Sequence, residues 1–138
     1  MIAAHEVIEQ ARAWVGVRFL HQGRTRNGAD CLGSIAGIMA ELGSMAPMNF
    51  LPLNYGRDPG PRLIQTLEEI TREIPLQPAA FVLVKFPHAK HASHGAIYTG
   101  ENLIHCFAGA GKVVEHGYRD PWVKRTVSVW ALPLVIYE

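Results

Sequence analysis

Cys31 follows Asp30 and precedes a run of small and apolar residues, NGADCLGSIAG over 27–37, and two histidines stand further on, His94 in HGAIYT and His105 in NLIHCF. A thiol and an imidazole able to take its proton are the parts of nucleophilic catalysis, if the fold brings them together. The reactive form is the thiolate, which is favoured at a helix N-terminus and beside an imidazolium. Cys31 meets the first condition if Asp30 is an N-cap that accepts from the first-turn amides. It reads equally as a small hydrophobe at the start of a buried helix, because free cysteine is among the most buried residue types.

His94 opens a strand-like run after PHAKHAS, which places it at a strand end, held and exposed at once. A catalytic base needs an orienting group on its other nitrogen. Pairing HGAIYT with NLIHCF through a tight turn at Gly100 to Asn102 brings His105 to the same end of the hairpin as His94. Alternation along the strand then turns Cys106 to the opposite side, into the core, which argues against a Cys31 to Cys106 disulfide. Each histidine alone has a plain structural reading; the combination with Cys31 carries the functional one. A zinc site on His88, His91 and His94 competes, but their spacing suits ligands on a helix. The stretch follows a proline and lacks a second ligand cluster, so no metal is expected and His88 and His91 read as a loop beside the site.

These residues need elements to position them. The segment MIAAHEVIEQARAWVGV places Val7, Ile8, Ala11, Trp14 and Val15 at helical spacing with polar residues between, an amphipathic helix rather than a secretory signal. GVRFLHQGRTRNGAD has turn chemistry and reads as a loop that delivers the chain to Asp30. From Cys31 to Leu42, one stripe of Leu32, Ile35, Ile38, Met39 and Leu42 lies beside a second of small residues, so the helix is apolar nearly all round and should be buried. Its glycines, Gly33 and Gly37, each cost about 1 kcal/mol relative to alanine, tolerable where another backbone packs closely.

GSMAPMNFLPLNYGRDPGP then forms an irregular connection, and PRLIQTLEEITREI a second amphipathic helix with Pro61 in its first turn. The β-branched and aromatic runs AAFVLVKF, HGAIYT, NLIHCF, KVVEH and TVSVWALPLVIY follow. Helices first and strands afterwards predict an α+β domain, an antiparallel sheet with the helices on one face. The 138 residues suffice for one domain, 1–138, and a composition 49% hydrophobic and 18% charged fits a packed core. A net charge of +1 with interspersed signs gives no field toward nucleic acid or an anionic membrane. No apolar stretch approaches the roughly 20 residues of a membrane span. With two cysteines and no export signal, synthesis in a reducing cytoplasm is expected.

Taken together, VGVRFLHQGRTRNGADCLGSI resembles the nucleophile region of the NlpC family of papain-like cell-wall peptidases, with Gly16, Phe19, Gly23, Gly28, Asp30, Cys31 and Gly33 in register. HGAIYTGENLIHC is similar to the family segment in which the base begins a strand and a second polar residue follows about a dozen positions later. The resemblance runs from Ala11 to about Tyr118. It implies a papain-like fold with Cys31 as nucleophile on the N-terminus of a buried helix, His94 as base and His105 as its orienting partner, without a cofactor. Asp30, Phe19, His21, Gly23 and Arg24 are the implied oxyanion or substrate contacts. Phe19 stands where a tyrosine is usual, Leu32 where a serine is usual, and Ala79 and Ala80 where Gly-Asp is common.

The implied substrate is the peptide stem of peptidoglycan, at the bond between D-glutamate and diaminopimelate. HQGR resembles the variant found in phage tail and gene-transfer-agent peptidases, so the expected partners are tail hub or tip proteins, with action in the periplasm or cell wall of a target cell. Two alternatives stay open: a catalytically inactive structural tail-hub protein of the same fold, and an amidase or acyltransferase using the same dyad on lipids or small amides.

Overall fold

The structure, a computed structural model, describes residues 1–44 and 61–137. Most of the connection expected between the second and third helices, 45–60, lies outside the described residues. Helix α1, Ala4–Ala13, buries Val7, Ile8 and Ala11, and Trp14 follows as its buried C-cap. Val15, expected on the same stripe, is exposed, because the helix has ended and the chain turns at Gly16, whose φ of 98° belongs to the left-handed region.

The loop expected before Asp30 contains a short hairpin, β2 Arg24–Thr25 against β3 Gly28–Ala29, too brief to leave a periodic signal. Helix α2, Cys31–Glu41, is buried from Leu32 through Met39, as an all-round apolar helix must be. Its glycines have the expected cause. A Cβ at Gly37 would run into the Trp14 ring and lie 2.7 Å from the Arg24 carbonyl oxygen, and one at Gly33 would land on the Gly23 carbonyl oxygen. The far end of α2 is tied down by Glu41, which accepts from Gln10 at 2.6 Å, Trp14 at 2.9 Å and Arg26 at 2.8 Å.

Helix α3, Arg62–Ile70, buries Leu63 and Leu67. The sheet that follows is antiparallel in the order β7-β6-β5-β4-β8, with β4 Phe81–Val84, β5 His94–Tyr98, β6 Asn102–Cys106, β7 Val113–Gly117 and β8 Thr126–Trp130. One face, with Phe81, Leu83, Ile97, Ile104 and Cys106, packs on α1 and α2. The other, with Val82, Val84, Ala96 and Leu103, carries Tyr98, Tyr118 and Trp122. Cys106 is fully buried and both cysteines are free thiols.

The last apolar run is not one strand. It leaves the sheet after Trp130, passes Pro133, which has no amide to donate to a ladder, and ends as β9, Val135–Ile136, parallel to β1, Ile2–Ala3. The expected separator GYRDPWVKR holds one turn of helix, α4 Trp122–Arg125. Ala79, where glycine is common in the resembling family, keeps a φ of 70°, pinned by its amide on Tyr98 and its carbonyl on the Tyr137 hydroxyl at 2.8 Å. No helix among the described residues is long and apolar enough to cross a membrane.

Candidate active site

Asp30 is the N-cap of α2 and is only 5% exposed. One carboxylate oxygen accepts from the Gly33 amide at 2.7 Å and the other from the Gln22 amide at 2.8 Å. The residue therefore clips the turn at 20–23 to the first turn of the helix and satisfies a donor the helix leaves over. Gln22 sits at φ 63°, a conformation that a surrounding structure must hold. The backbone closes the rest: the Gly23 amide donates to the Leu20 carbonyl, and the Asp30 amide to the Gly23 carbonyl.

Cys31, the first residue of α2, is half-buried. Its Sγ lies 3.9 Å from the Ser93 carbonyl oxygen and also faces the Gly95 and Leu32 amides, so the thiol is bracketed by the backbone on either side of His94. His94 is the first residue of β5 and 3% exposed. Its ring stands on the second face of the sheet, against Phe86, Phe107 and Trp122, with centroids 4.9, 5.9 and 6.3 Å away. The thiol thus meets the backbone at the start of β5, the strand whose first side chain is the His94 imidazole.

His94 Nε2 is 2.6 Å from His105 Nδ1, the contact expected across the hairpin. The register, Ile97 opposite Ile104 and Tyr98 opposite Leu103, makes the two histidines diagonal neighbours on one face. Sequence reading missed a third member. His105 Nε2 is 2.6 Å from His116 Nε2 on β7, and His116 Nδ1 lies 3.0 Å from the Gly117 carbonyl oxygen. The signal was in KVVEH: pairing it antiparallel to NLIHCF through the AGAG turn sets His116 opposite Leu103, on the His105 side.

The remaining expected contacts are more dispersed. Phe19 is half-buried against the core with its backbone bridged to Ala29, His21 is exposed on the turn, and Gly23 abuts Gly33. Arg24 runs beside Gly37, about 9 Å along the helix axis from Cys31 at 1.5 Å per residue. His88 and His91 lie on a turn-and-bend segment, not a helix, so three-residue spacing does not align them with His94.

Burial, with the Asp30 carboxylate second, pushes the Cys31 thiol up to about 12, against the pull of the Gly95 and Leu32 amides. Burial pushes His94 down to about 3, and burial followed by the neighbouring His94 and His116 pushes His105 down to about 2. Burial penalises a lone charge on any of the three. The resting pair is therefore neutral.

Folding keeps both histidines unprotonated where the unfolded chain, titrating at 6.5, binds protons. Stability from this source is complete above pH 6.5 and is lost as pH falls, with a slope of up to about 1.4 kcal/mol per pH unit for each histidine. The urea midpoint should fall steadily from pH 6.5 to 5, above the carboxylate range, and His105→Gln should remove about half of that slope. A flat profile in the parent protein would contradict neutral burial.

A cysteine on a helix N-terminus beside an antiparallel sheet that carries histidines defines a papain-like arrangement, and the fold is that of the NlpC/P60 proteins. The chain superposes on an NlpC/P60 family protein from Bacillus cereus with a TM-score of 0.67 and 20% identity, over 91% of this chain and 39% of that one, and so spans about two-fifths of its length. It matches the peptidoglycan hydrolase RipB from Mycobacterium tuberculosis with a TM-score of 0.61 and 18% identity, over 97% of this chain and 65% of that one. The NlpC/p60 domain of the peptidoglycan hydrolase SagA gives 0.60 and 13%, over 94% and 98%. At these identities the likeness is one of fold. No protein-family model matches the chain, and no curated protein matches its sequence.

Proposed function

We propose that this chain is a cysteine peptidase that hydrolyses amide bonds in the peptide stems of peptidoglycan. The observation that carries the reading is the Cys31 thiol bracketed by the backbone on both sides of His94, whose Nε2 is engaged by His105 at 2.6 Å. His94 Nδ1 takes the thiol proton once the two atoms come into hydrogen-bond reach, a contact that substrate binding tightens. The thiolate attacks the amide carbonyl. The Cys31 and Leu32 amides at the positive end of α2 stabilise the oxyanion. Collapse expels the amine, which takes the proton back from His94, and leaves an acyl thioester on Cys31. Water then gives His94 a proton, attacks the thioester, and releases the carboxylic acid as the thiol reforms.

The bond between D-glutamate and diaminopimelate is the proposed target, and the HQGR stretch supports carriage on a phage or gene-transfer-agent tail that opens the wall locally. Incubation with purified sacculi containing diaminopimelate tests the activity: soluble fragments with a new amino group on diaminopimelate are expected. Intact sacculi would favour the structural tail-hub reading. Purified particles that lack the chain would overturn the carriage.

A further inference from the structure

We propose that His116 is a positioning residue that sets the tautomer of the whole histidine chain from the Gly117 carbonyl, so that His94 meets the thiol with an unprotonated Nδ1. The inference rests on the reading of Cys31 and His94 as nucleophile and base.

His105 alone cannot orient His94 in this sense. A neutral imidazole donates from one nitrogen and accepts at the other, so the 2.6 Å contact between His94 Nε2 and His105 Nδ1 is satisfied with the proton on either side. In one arrangement His94 carries its proton on Nε2 and is a base at Nδ1. In the other it carries the proton on Nδ1 and is none. The 2.6 Å contact between His105 Nε2 and His116 Nε2 only passes the ambiguity on.

The Gly117 carbonyl ends it. A carbonyl oxygen only accepts, so His116 Nδ1, 3.0 Å away, must carry the proton. With that single proton on Nδ1, His116 is an acceptor at Nε2, His105 donates from Nε2 and accepts at Nδ1, and His94 donates from Nε2. One backbone oxygen three rings away leaves Nδ1 of His94 bare. The assignment survives the reaction: when Nδ1 takes the Cys31 proton, His94 becomes an imidazolium that still donates from Nε2, and no other proton in the chain has to move. Packing holds the rings in place, with Trp122 at 4.7 Å from His105 and 5.2 Å from His116.

Two measurements test this. In the ¹⁵N-labelled parent protein at pH 7, long-range ¹H–¹⁵N spectra should show His116 as the Nδ1–H tautomer and both His94 and His105 as Nε2–H; His94 as Nδ1–H would overturn the proposal. The second is the rate of Cys31 alkylation by iodoacetamide, read on the Cys31 peptide. His116→Ala should slow it about tenfold and mix the His94 tautomers, while His116→Gln, whose side-chain oxygen can accept where Nε2 did, should stay within about threefold of the parent. If His94→Ala abolishes the reactivity but both His116 variants match the parent, the relay is wrong and the peptidase reading stands. If Cys31 in the parent is indifferent to His94→Ala, the peptidase reading fails and the relay with it.

Discussion

Cys31→Ala is expected to lower peptidoglycan hydrolysis by about 10⁴-fold or more while leaving the fold in place. The magnitude follows from what the thiol does in the proposed reaction: it is the group that forms the acyl intermediate, and removing a covalent nucleophile leaves only binding and oxyanion stabilisation. The small structural cost follows from the site. Cys31 is half-buried, its Sγ contact to the Ser93 carbonyl is long at 3.9 Å, and the helix start is held by Asp30 rather than by the thiol. The unfolding free energy from urea titration should stay within about 1 kcal/mol of the parent, a typical limit for a substitution that breaks no buried bond. His94→Ala should abolish turnover as well but also cost stability, since it empties a 3% exposed position and strips His105 of its partner. Turnover surviving Cys31→Ala would exclude the thioester mechanism.

Gly33→Ala should produce the largest loss of stability among single-methyl changes near the site, about 3 kcal/mol or more. In an open helix the same change gains about 1 kcal/mol from propensity. Here the added Cβ would land on the Gly23 carbonyl oxygen and lie 3.0 Å from the Asp30 carboxylate. Neither can step aside cheaply. The Gly23 carbonyl accepts the Asp30 amide, and the carboxylate holds Gly33 and Gln22 together. Overpacking of a closed backbone contact costs about 1–3 kcal/mol or more, and separating the turn from the helix would also shift the Leu32 amide that faces the thiol. The urea midpoint and the Cys31 alkylation rate should therefore fall together; a variant more stable than the parent would show that the turn is not locked.

The same contact explains why this part of the site was legible in the sequence. Asp30 before Cys31 states a cap, and a glycine two residues into a buried helix announces a close neighbour. The hairpin pairing of His94 with His105 was equally readable, because register and alternation fix which side chains share a face. His116 was not recovered, since KVVEH was read as a strand and never paired. The β2–β3 hairpin, α4 and β1 left no signal, and β9 was read only as the tail of one long strand: two to four residues are too few for a period, and only tertiary partners select their conformation. Val15 shows the opposite failure, a residue that fits the helical stripe after the chain has already turned away at Gly16.

Locking the Gly23 turn to the helix makes the two walls of the site unequal as material for divergence. On the nucleophile side, backbone meets backbone, and almost any new side chain at Gly23 or Gly33 breaks the seat of the thiol. The opposite wall comes from side chains on separate connections, Phe86, Phe107 and Trp122, which touch the histidines through ring faces and edges. Descendants of such a chain would acquire new substrate preferences through the segments bearing those three rings, and keep the turn before Cys31 nearly unchanged.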